Sequence, residues 1–199
     1  MPKKLNPVMV TQELKEKSMF LFTPREFTRV FDVSLYASQW FIASYVKRGL
    51  FTKLRNGFYA LSDAPRNHYL IANKLYQPSY ISFETALSYH KLIPETIYAV
   101  TSAAPKATSR FTADGVEYLY RKIKRDAFTG YVPTAHLGST ILIAEPEKAL
   151  ADYLYFVDLR LLELSYERLD PRKLNKRKFS SYVRLFDRPS LTVLAKTIL

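Results

Sequence analysis

The sequence has no cysteine, only five glycines among 199 residues, and no hydrophobic run long enough to cross a membrane. Without cysteine the chain can form no disulfide, thiolate zinc site, iron–sulfur cluster or cysteine nucleophile. The glycines form neither GxGxxG nor a P-loop, and no GxSxG is present. No apolar segment of the kind found in signal peptides follows the basic amino terminus. We therefore expect a soluble, cytoplasmic protein without cofactor, metal or membrane partner.

Positive charge is abundant: 30 Lys and Arg stand against 18 Asp and Glu, a net charge of +12. Residues 1–66 hold 11 basic and 5 acidic residues, and residues 168–188 hold 8 basic and 2 acidic ones. The remaining residues carry 11 of each sign and are neutral. Two localised basic segments are typical of proteins that contact polyanions, and a solvated lysine-rich face is the alternative for each.

A capping box predicts a helix over residues 24–31. The Thr23 hydroxyl can accept a hydrogen bond from the Glu26 amide, while the Glu26 carboxylate reaches back to the Thr23 amide. Phe22 and Phe27 are spaced for a hydrophobic staple across the same turn. These three local signals agree, so the helix start is well specified by sequence alone.

Two further helices flank this one. Asn6 followed by proline predicts an earlier helix, and Ser34 caps a third helix that runs to about Arg48, before Gly49. Helical periodicity gives the third helix two faces. We expect its inward stripe to be Ser38, Ile42, Tyr45 and Val46, and its opposite face to carry Tyr36, Gln39, Trp40 and Ala43.

Asn56-Gly57 between two apolar runs predicts a β-hairpin over residues 50–61, because a type I′ turn needs positive φ at both central residues. A two-residue loop would pair Arg55 with Phe58 and Leu54 with Tyr59. Strict alternation would then place Thr52, Leu54, Tyr59 and Leu61 on one face, and Lys53 and Arg55 together on the other.

Three helices followed by a basic hairpin are the arrangement of a winged helix-turn-helix, so residues 1–66 are predicted to bind DNA. The second helix of such a pair contacts base edges from its amino-terminal part, where the Gln39 amide can pair with adenine. Arg25, Lys53 and Arg55 suit phosphate contacts. The alternatives are that Tyr36 and Trp40 pack against a neighbouring domain and that the hairpin tip is merely solvated. The predicted DNA-binding residues are Arg25, Ser34, Tyr36, Gln39, Trp40, Lys53, Arg55 and Asn56.

A polar, turn-rich stretch at 62–67 marks the start of a second domain, residues 67–199. Helix signals come first, strands follow over about 96–143, and helix signals return after Glu145. This order predicts an α+β domain with an antiparallel sheet and carboxy-terminal helices. Helices are expected over about 68–76 and 82–92, from Pro146, from Pro171 as a short basic helix, from Ser180 or Ser181, and from Pro189.

Catalytic signals in this second domain are faint. Glu145 and Asp152 lie at i and i+7 and could share a helix face as a cation site or an acid–base pair, although helix capping and surface charge explain them more simply. The basic run 121–125 could contact phosphate or an acidic partner, or it could equally be a solvated strand edge that resists aggregation. His68, His90 and His136 are isolated and are interpreted as surface or core residues. The sequence therefore indicates no particular reaction.

Three blocks resemble one family. They are RGLFTKLRNGFYAL at 48–61, YISFETALSYHKLIPE at 80–95 and IAEPEKALADYL at 143–154. In this order and spacing they resemble the AbiEi antitoxins of AbiE-type abortive-infection systems, also described as transcriptional regulators of viral defence. The resemblance covers about residues 20–157, and the basic segment 168–188 lies outside it.

The resemblance implies a bacterial antitoxin of a phage-defence toxin–antitoxin system. Its winged helix would repress its own operon by binding inverted repeats in double-stranded DNA. Its second domain would counter a nucleotidyltransferase-like toxin encoded beside it, generally without a stable complex. The candidate functional residues of that domain are Ser82, Glu84, His90, Glu145, Lys148 and Asp152.

Two alternatives stay open for residues 67–199. They could form an enzyme that modifies the toxin or its RNA substrate, with Glu84, Glu145, Lys148 and Asp152 as candidates. They could instead form a module that binds the toxin or tRNA directly through the basic segment, whose candidate contacts are Arg172, Lys173, Lys176, Arg177 and Lys178.

Overall fold

The computed structural model describes residues 5–95, 98–164 and 169–198. Contacts divide the chain into two compact units. The first comprises Met1–Arg66 with Thr112–Gly115, and the second comprises Asn67–Phe111 with Val116–Leu199. The described residues form eight α-helices and nine strands in two sheets, so the fold is mixed α and β. Within these ranges, no helix is both long and apolar enough to cross a membrane.

The first unit consists of three helices and a three-stranded sheet. The helices are α1 (Pro7–Glu16), α2 (Pro24–Phe31) and α3 (Leu35–Lys47), and the strands are β1 (Leu21–Phe22), β2 (Phe51–Arg55) and β3 (Phe58–Leu61). The strand order is β1-β3-β2, and both pairings are antiparallel.

Local side-chain caps start each of these helices, as the sequence predicts. Asn6 accepts from the Val8 amide at 2.9 Å, and Ser34 accepts from the Ala37 amide at 3.1 Å. Both halves of the capping box between Thr23 and Glu26 are present. The caps fix where α1, α2 and α3 begin because they satisfy amide groups that the first turn leaves without partners.

A cluster of phenylalanine rings forms the core of the first unit. The rings of Phe22 and Phe27 lie 5.7 Å apart, which confirms the predicted staple, and Phe22 meets Phe51 edge-on at 5.1 Å. Phe31 and Phe41 complete the buried aromatic group. These rings hold α2, α3 and the sheet together through burial and edge-to-face contact.

The hairpin differs from the predicted pairing. Arg55 lies opposite Phe58 as expected, but the register shifts between Lys53 and Arg55, so Tyr59 pairs with Lys53 instead of Leu54. This irregularity buries both Leu54 and Phe58 while Lys53 and Arg55 stay exposed. The predicted common face of Thr52, Leu54, Tyr59 and Leu61 is therefore wrong, and Lys53 and Arg55 do not share one face.

The second unit combines helices with most of the second sheet. Its helices are α4 (His68–Leu75), α5 (Phe83–Tyr89), α6 (Pro146–Asp158), α7 (Lys176–Arg184) and α8 (Pro189–Ile198). The strands are β4 (Tyr80–Ile81), β5 (Val100–Ala104), β6 (Ser109–Ala113), β7 (Val116–Lys122), β8 (Tyr131–His136) and β9 (Ser139–Ala144), in the order β6-β7-β5-β4-β9-β8.

This sheet is mixed, so the predicted antiparallel sheet is wrong. β4 runs parallel to β9, with Ile81 opposite Ile143, and β5 runs parallel to β7, with Val100 opposite Tyr118. The chain passes from β5 to the edge strand β6 before it returns through β7 beside β5. Since β7 lies between two strands, the edge-protection hypothesis for the basic run 121–125 fails for its strand part.

Several predicted boundaries also move. α5 ends at Tyr89 and not at Leu92, and the segment after Asp170 is a single 3-10 turn (Pro171–Lys173). α7 begins at Lys176 and not at Ser180 or Ser181, because the Asn175 side chain caps it by accepting from the Lys178 amide at 3.1 Å. Residues 96 and 97 of the predicted first strand lie outside the described residues.

Candidate functional site

The outward face of α3 is exposed and free of carboxylates. Tyr36 and Trp40 are 79% and 65% exposed, and Gln39 between them is exposed as well. Ser38, Phe41 and Ile42 point into the core, with Tyr45 and Val46 half-buried. The predicted outward face is therefore confirmed, and Phe41 joins the predicted inward stripe.

A shallow groove follows this face towards the carboxyl end of α3. It encloses about 510 Å³, and Leu5, Trp40 and Arg48 are among its lining residues. The Arg48 guanidinium lies 5.1 Å from the centre of the Tyr45 ring, within reach of a cation–π contact. Aromatic surface and fixed positive charge therefore occur side by side along one edge of the helix.

The predicted phosphate-binding cations belong to the same unit. Arg25 is exposed in the first turn of α2, and Lys53, Arg55 and Asn56 are exposed at the hairpin. β2 contacts α3, which brings the hairpin next to that helix. All eight residues predicted to bind DNA are exposed in the first unit.

A buried ion pair is the main polar feature of the second unit. Lys148 and Asp152 lie one turn apart on α6, the Lys148 ammonium donates to Asp152 Oδ1, and both side chains are fully buried. Asp152 Oδ2 also accepts from the Tyr80 hydroxyl at 2.9 Å and from Ser82 Oγ at 2.7 Å. The surface-charge interpretation of Asp152 is therefore wrong.

Burial governs the titration of this pair. It raises the pKa of the Asp152 carboxyl and lowers the pKa of the Lys148 ammonium, because a low-dielectric core disfavours either charge. The opposite charge of its partner partly offsets the effect of burial on the pKa of each group. For Asp152, the hydrogen bonds from the Ser82 and Tyr80 hydroxyls also lower the pKa. The Lys148 ammonium also lies 4.9 Å from the centre of the Phe186 ring. Side chains of the second unit, Tyr80, Ser82 and Phe186, therefore surround the pair.

Glu145 has different partners. Its carboxylate accepts from the Lys178 ammonium at 2.7 Å and from the Tyr182 hydroxyl. Burial alone would raise the pKa of Glu145, but these two hydrogen bonds outweigh it and leave the pKa below its ordinary value. The same hydrogen bond raises the pKa of the Lys178 ammonium above its ordinary value, because it stabilises the charged form.

The predicted pairing of Glu145 with Asp152 as a cation or acid–base site is not supported. Each of these carboxylates is already engaged by its own lysine and hydroxyl groups. Among the residues that the structure describes, no group of three or more histidine, aspartate or glutamate side chains could hold a metal ion.

The segment 175–188 packs on α6 and is held there by a hydrogen bond and an ion pair. Its amide at Asn175 donates to the Glu147 carboxylate at 2.9 Å, and Arg188 pairs with Asp158 at 2.5 Å. Gly130 (φ +73°) allows Tyr182 to approach closely, because a Cβ at this position would lie 2.6 Å from the Tyr182 ring. Part of the second basic segment therefore serves internal packing.

The other predicted residues also have internal partners. Glu84 pairs with Arg121 at 2.6 Å, and both side chains are largely buried. His90 Nε2 donates to the Ala144 carbonyl at 2.8 Å, His68 bonds to Tyr118, and His136 stacks on Tyr69. In the second basic segment, Arg172 pairs with Asp170 and Lys173 donates to the Lys91 carbonyl at 3.4 Å. The exposed residues here are Arg172, Lys173, Lys176 and Arg177.

Tyr80 and Tyr182 are the residues that sequence reasoning missed. Each donates a hydroxyl to one of the two carboxylates on or beside α6. Neither stands at a recognisable spacing from its partner, since 72 and 37 residues separate them along the chain. No local pattern could have joined them.

Comparison of the chain with models of known protein families finds no match, and a search of curated protein sequences finds no significant match.

Proposed function

We propose that the first unit is a winged helix-turn-helix that binds double-stranded DNA, with α2 and α3 as the helix pair and β2–β3 as the wing. The supporting observation is the outward face of α3, which is exposed, lacks carboxylates and ends at Lys47 and Arg48. A helix with this face can enter the major groove without repelling the phosphates on either side.

In this proposal the amino-terminal half of the outward face of α3 contacts the bases. The Gln39 amide can donate to and accept from adenine in one plane, and Tyr36 and Trp40 beside it offer apolar surface to thymine methyl groups. These three side chains therefore favour sites rich in A·T base pairs. Ser34, at the cap, is placed for a contact with the sugar-phosphate backbone.

Phosphate contacts fall to Arg25 on α2 and to Lys53 and Arg55 on the wing. The register shift in β2 keeps both wing cations exposed while the adjoining Leu54 is buried. The two cations then project from opposite faces of the ribbon, a geometry suited to phosphates on both sides of a groove. Asn56 lies at the tip between them.

Gln39→Ala is expected to reduce sequence discrimination. Loss of one bidentate amide–adenine contact should cost about 1–3 kcal/mol on the preferred site and little on unrelated duplexes. The full chain would first be used to select a preferred duplex from a random pool. Trp40 is the chain's single tryptophan, so its emission should report binding directly.

Gln12→Ala is the matched control, since Gln12 is exposed on α1 and bonds only locally, to Glu16. It should leave both affinities unchanged. Equal discrimination by wild type and Gln39→Ala would refute the base contact, and absence of any duplex binding would refute the proposed function itself.

We further propose that the whole chain is an AbiEi-type antitoxin and autorepressor in a bacterial phage-defence operon. The support is the resemblance at 48–61, 80–95 and 143–154. In the fold these blocks supply the wing, Tyr80 and Ser82, and the helix that carries Lys148 and Asp152. The second unit would counter a nucleotidyltransferase-like toxin, and the first would repress transcription.

The geometry favours this function over the enzyme alternative for residues 67–199. Lys148 and Asp152 are fully buried, and Glu84 and Glu145 are held by Arg121 and Lys178. Because these side chains already have partners inside the unit, they support a structural role over the acid–base roles that the enzyme alternative would give them.

Co-expression can separate the two proposed tasks. We expect the full chain to restore growth of cells that express the neighbouring toxin gene, and Lys53→Ala/Arg55→Ala to restore it equally while derepressing a reporter under the operon's own promoter. Failure of the wild-type chain to restore growth would contradict the antitoxin role. Loss of rescue in the wing variant would contradict the division of tasks between the units.

A further inference from the structure

The groove on α3 has the size of a small-molecule site. It encloses about 510 Å³, and ligand pockets in proteins enclose about 300–1,000 Å³. Apart from Leu5, which precedes α1, the residues that line it belong to α3 and its carboxyl cap. The whole groove therefore lies within the first unit.

Small residues between large ones open this groove. Its lining residues fall on two neighbouring rows of α3, and within each row they are four apart, because a helix completes a turn in 3.6 residues. One row passes from Trp40 over Ser44 to Arg48, and the row beside it ends at Tyr45. Since Ser44 is short and its neighbours in the row are long, a gap opens above it.

Most of the lining is accessible to a ligand. Tyr36 and Trp40 are 79% and 65% exposed, and Tyr45 and Ser44 are half-buried. Phe41 is the one buried residue of the lining that the structure describes. A molecule in the groove can therefore cover aromatic surface that solvent now covers.

Arg48 is the only charged residue among the described lining residues. Its guanidinium packs 5.1 Å from the centre of the Tyr45 ring. Among the residues that the structure describes, its N–H groups have no hydrogen-bond acceptor, whereas Arg66, Arg121 and Arg188 each pair with an acid. A guanidinium with free N–H groups can bind one carboxylate through two parallel hydrogen bonds.

We propose that this groove binds a planar two-ring aromatic carboxylate, and that the bound molecule competes with DNA for α3. The rings lie over Ser44 against Trp40, and the carboxylate pairs with Arg48. Eight residues separate Trp40 from Arg48, about 12 Å along the helix axis, which two linked rings with a carboxylate can span. Aromatic surface and a single fork of N–H donors are what the lining offers, and this class of ligand matches both.

Competition with DNA follows from the position of the ligand. The ligand covers Tyr36 and Trp40, which flank Gln39 on the face proposed to contact bases. It also neutralises Arg48 at the end of that face. The competition rests on the proposed DNA-binding function, whereas the ligand site does not.

The ligand site is tested without DNA. The full, isotope-labelled chain is titrated with para-biphenylcarboxylate, and the indole N–H signal is followed by NMR. Trp40 is the single tryptophan of the chain, so this signal reports on the groove directly. The control ligand, para-biphenylcarboxamide, has the same rings and no charge. We expect the carboxylate to bind about 10-fold more tightly than the amide.

Two pairs of variants locate the site. Arg48→Gln should weaken carboxylate binding about 10-fold and remove its advantage over the amide, whereas Arg29→Gln, at an exposed position of α2 outside the groove, should do neither. Ser44→Phe fills the gap and should weaken both ligands. Ala43→Phe, at the adjacent exposed position outside the lining, should weaken neither. Thermal unfolding of each variant verifies that it is folded.

Competition is measured by fluorescence anisotropy with a labelled duplex that the wild-type chain selects. At about ten times its Kd, the carboxylate should lower the apparent affinity for the duplex about 10-fold. The amide at the same concentration should lower it less.

Several results would overturn the ligand site. These are an unchanged Trp40 signal with both ligands, equal affinity for the two ligands, or equal losses in Arg48→Gln and Arg29→Gln. A Trp40 signal that shifts with chain concentration and not with ligand would assign the groove to a second copy of the chain.

The two halves of the proposal fail in different ways. Ligand binding that leaves the duplex affinity unchanged would contradict the competition alone. If the chain bound no duplex at all, the proposed function would fail together with the competition, and the NMR titration would still decide the ligand site.

Discussion

Asp152→Asn is expected to lower the free energy of unfolding by about 3–5 kcal/mol, the largest effect of any single substitution considered for this protein. Asparagine keeps the size and shape of the side chain, so the change isolates the charge. It leaves the Lys148 ammonium fully buried and faces it with an amide in place of a carboxylate. Urea denaturation at neutral pH measures the loss.

The deficit should depend on pH in a defined direction. Burial already lowers the pKa of Lys148, and removal of its counter-charge favours the neutral amine further. The folded variant then releases this proton at a lower pH than the unfolded chain, whose lysine has its ordinary pKa of about 10.4. Because the unfolded state binds more protons in that window, stability rises with pH, and the deficit should be smaller at about pH 9.5 than at about pH 6.

Two controls bracket this prediction. Lys148→Met with Asp152→Leu removes both charges and should recover part of the loss, although Tyr80 and Ser82 still lack their acceptor. Asp63→Asn breaks the exposed pair with Lys15 and should cost no more than about 1 kcal/mol. If Asp152→Asn were as mild as Asp63→Asn, the buried pair would have no special role in holding α6.

Lys53→Ala with Arg55→Ala should lower affinity for every duplex sequence by about 10- to 100-fold at low salt. Each phosphate contact contributes about 0.9 to the slope of log K against log salt, so the slope should fall in magnitude by about 1.8. The ratio between preferred and unrelated sites should change little, because phosphates carry no sequence information. Anisotropy titrations over a series of salt concentrations provide all three quantities.

Lys91→Ala with Lys106→Ala is the matched control, since both residues are exposed and the same charge is lost from the second unit. Its affinity and salt slope should match those of the wild type. An equal loss in the two pairs would mean that net charge alone governs binding. The wing would then have no specific part in it.

Local signals predicted much of the first unit because each involves only a few neighbouring residues. The capping box and the Phe22–Phe27 staple each act within five residues, and the structure has both. The Asn56-Gly57 turn joins β2 to β3 as predicted, but Gly57 has positive φ (+75°) and Asn56 does not, so the predicted type I′ geometry is wrong. The strand register beyond the turn was not predictable in this way. Burial of Leu54 and Phe58 together, a requirement of the core, shifts the pairing that strict alternation would give.

The second unit was less predictable because its contacts are distant in sequence. The parallel pairings of β4 with β9 and of β5 with β7 join segments that no local pattern relates. From the sequence alone, the helix face that carries Asp152 could also be interpreted as solvent-exposed. Its burial follows from the packing of α6 against α5, α7 and α8, elements contributed by distant parts of the chain.

The sequence by itself determined how much positive charge this protein carries and in which two segments it lies, since both follow from composition. It also determined where the three helices of the first unit begin and where the turn between β2 and β3 lies, since the energetics of both are local. Only the tertiary structure decided what each charge does. Lys178 and Arg188 are neutralised by carboxylates on or beside α6, whereas Arg48 lines the groove on α3. The physical reason is that an ion pair needs two groups within a few ångströms of each other, and between distant segments only the folded chain sets that distance.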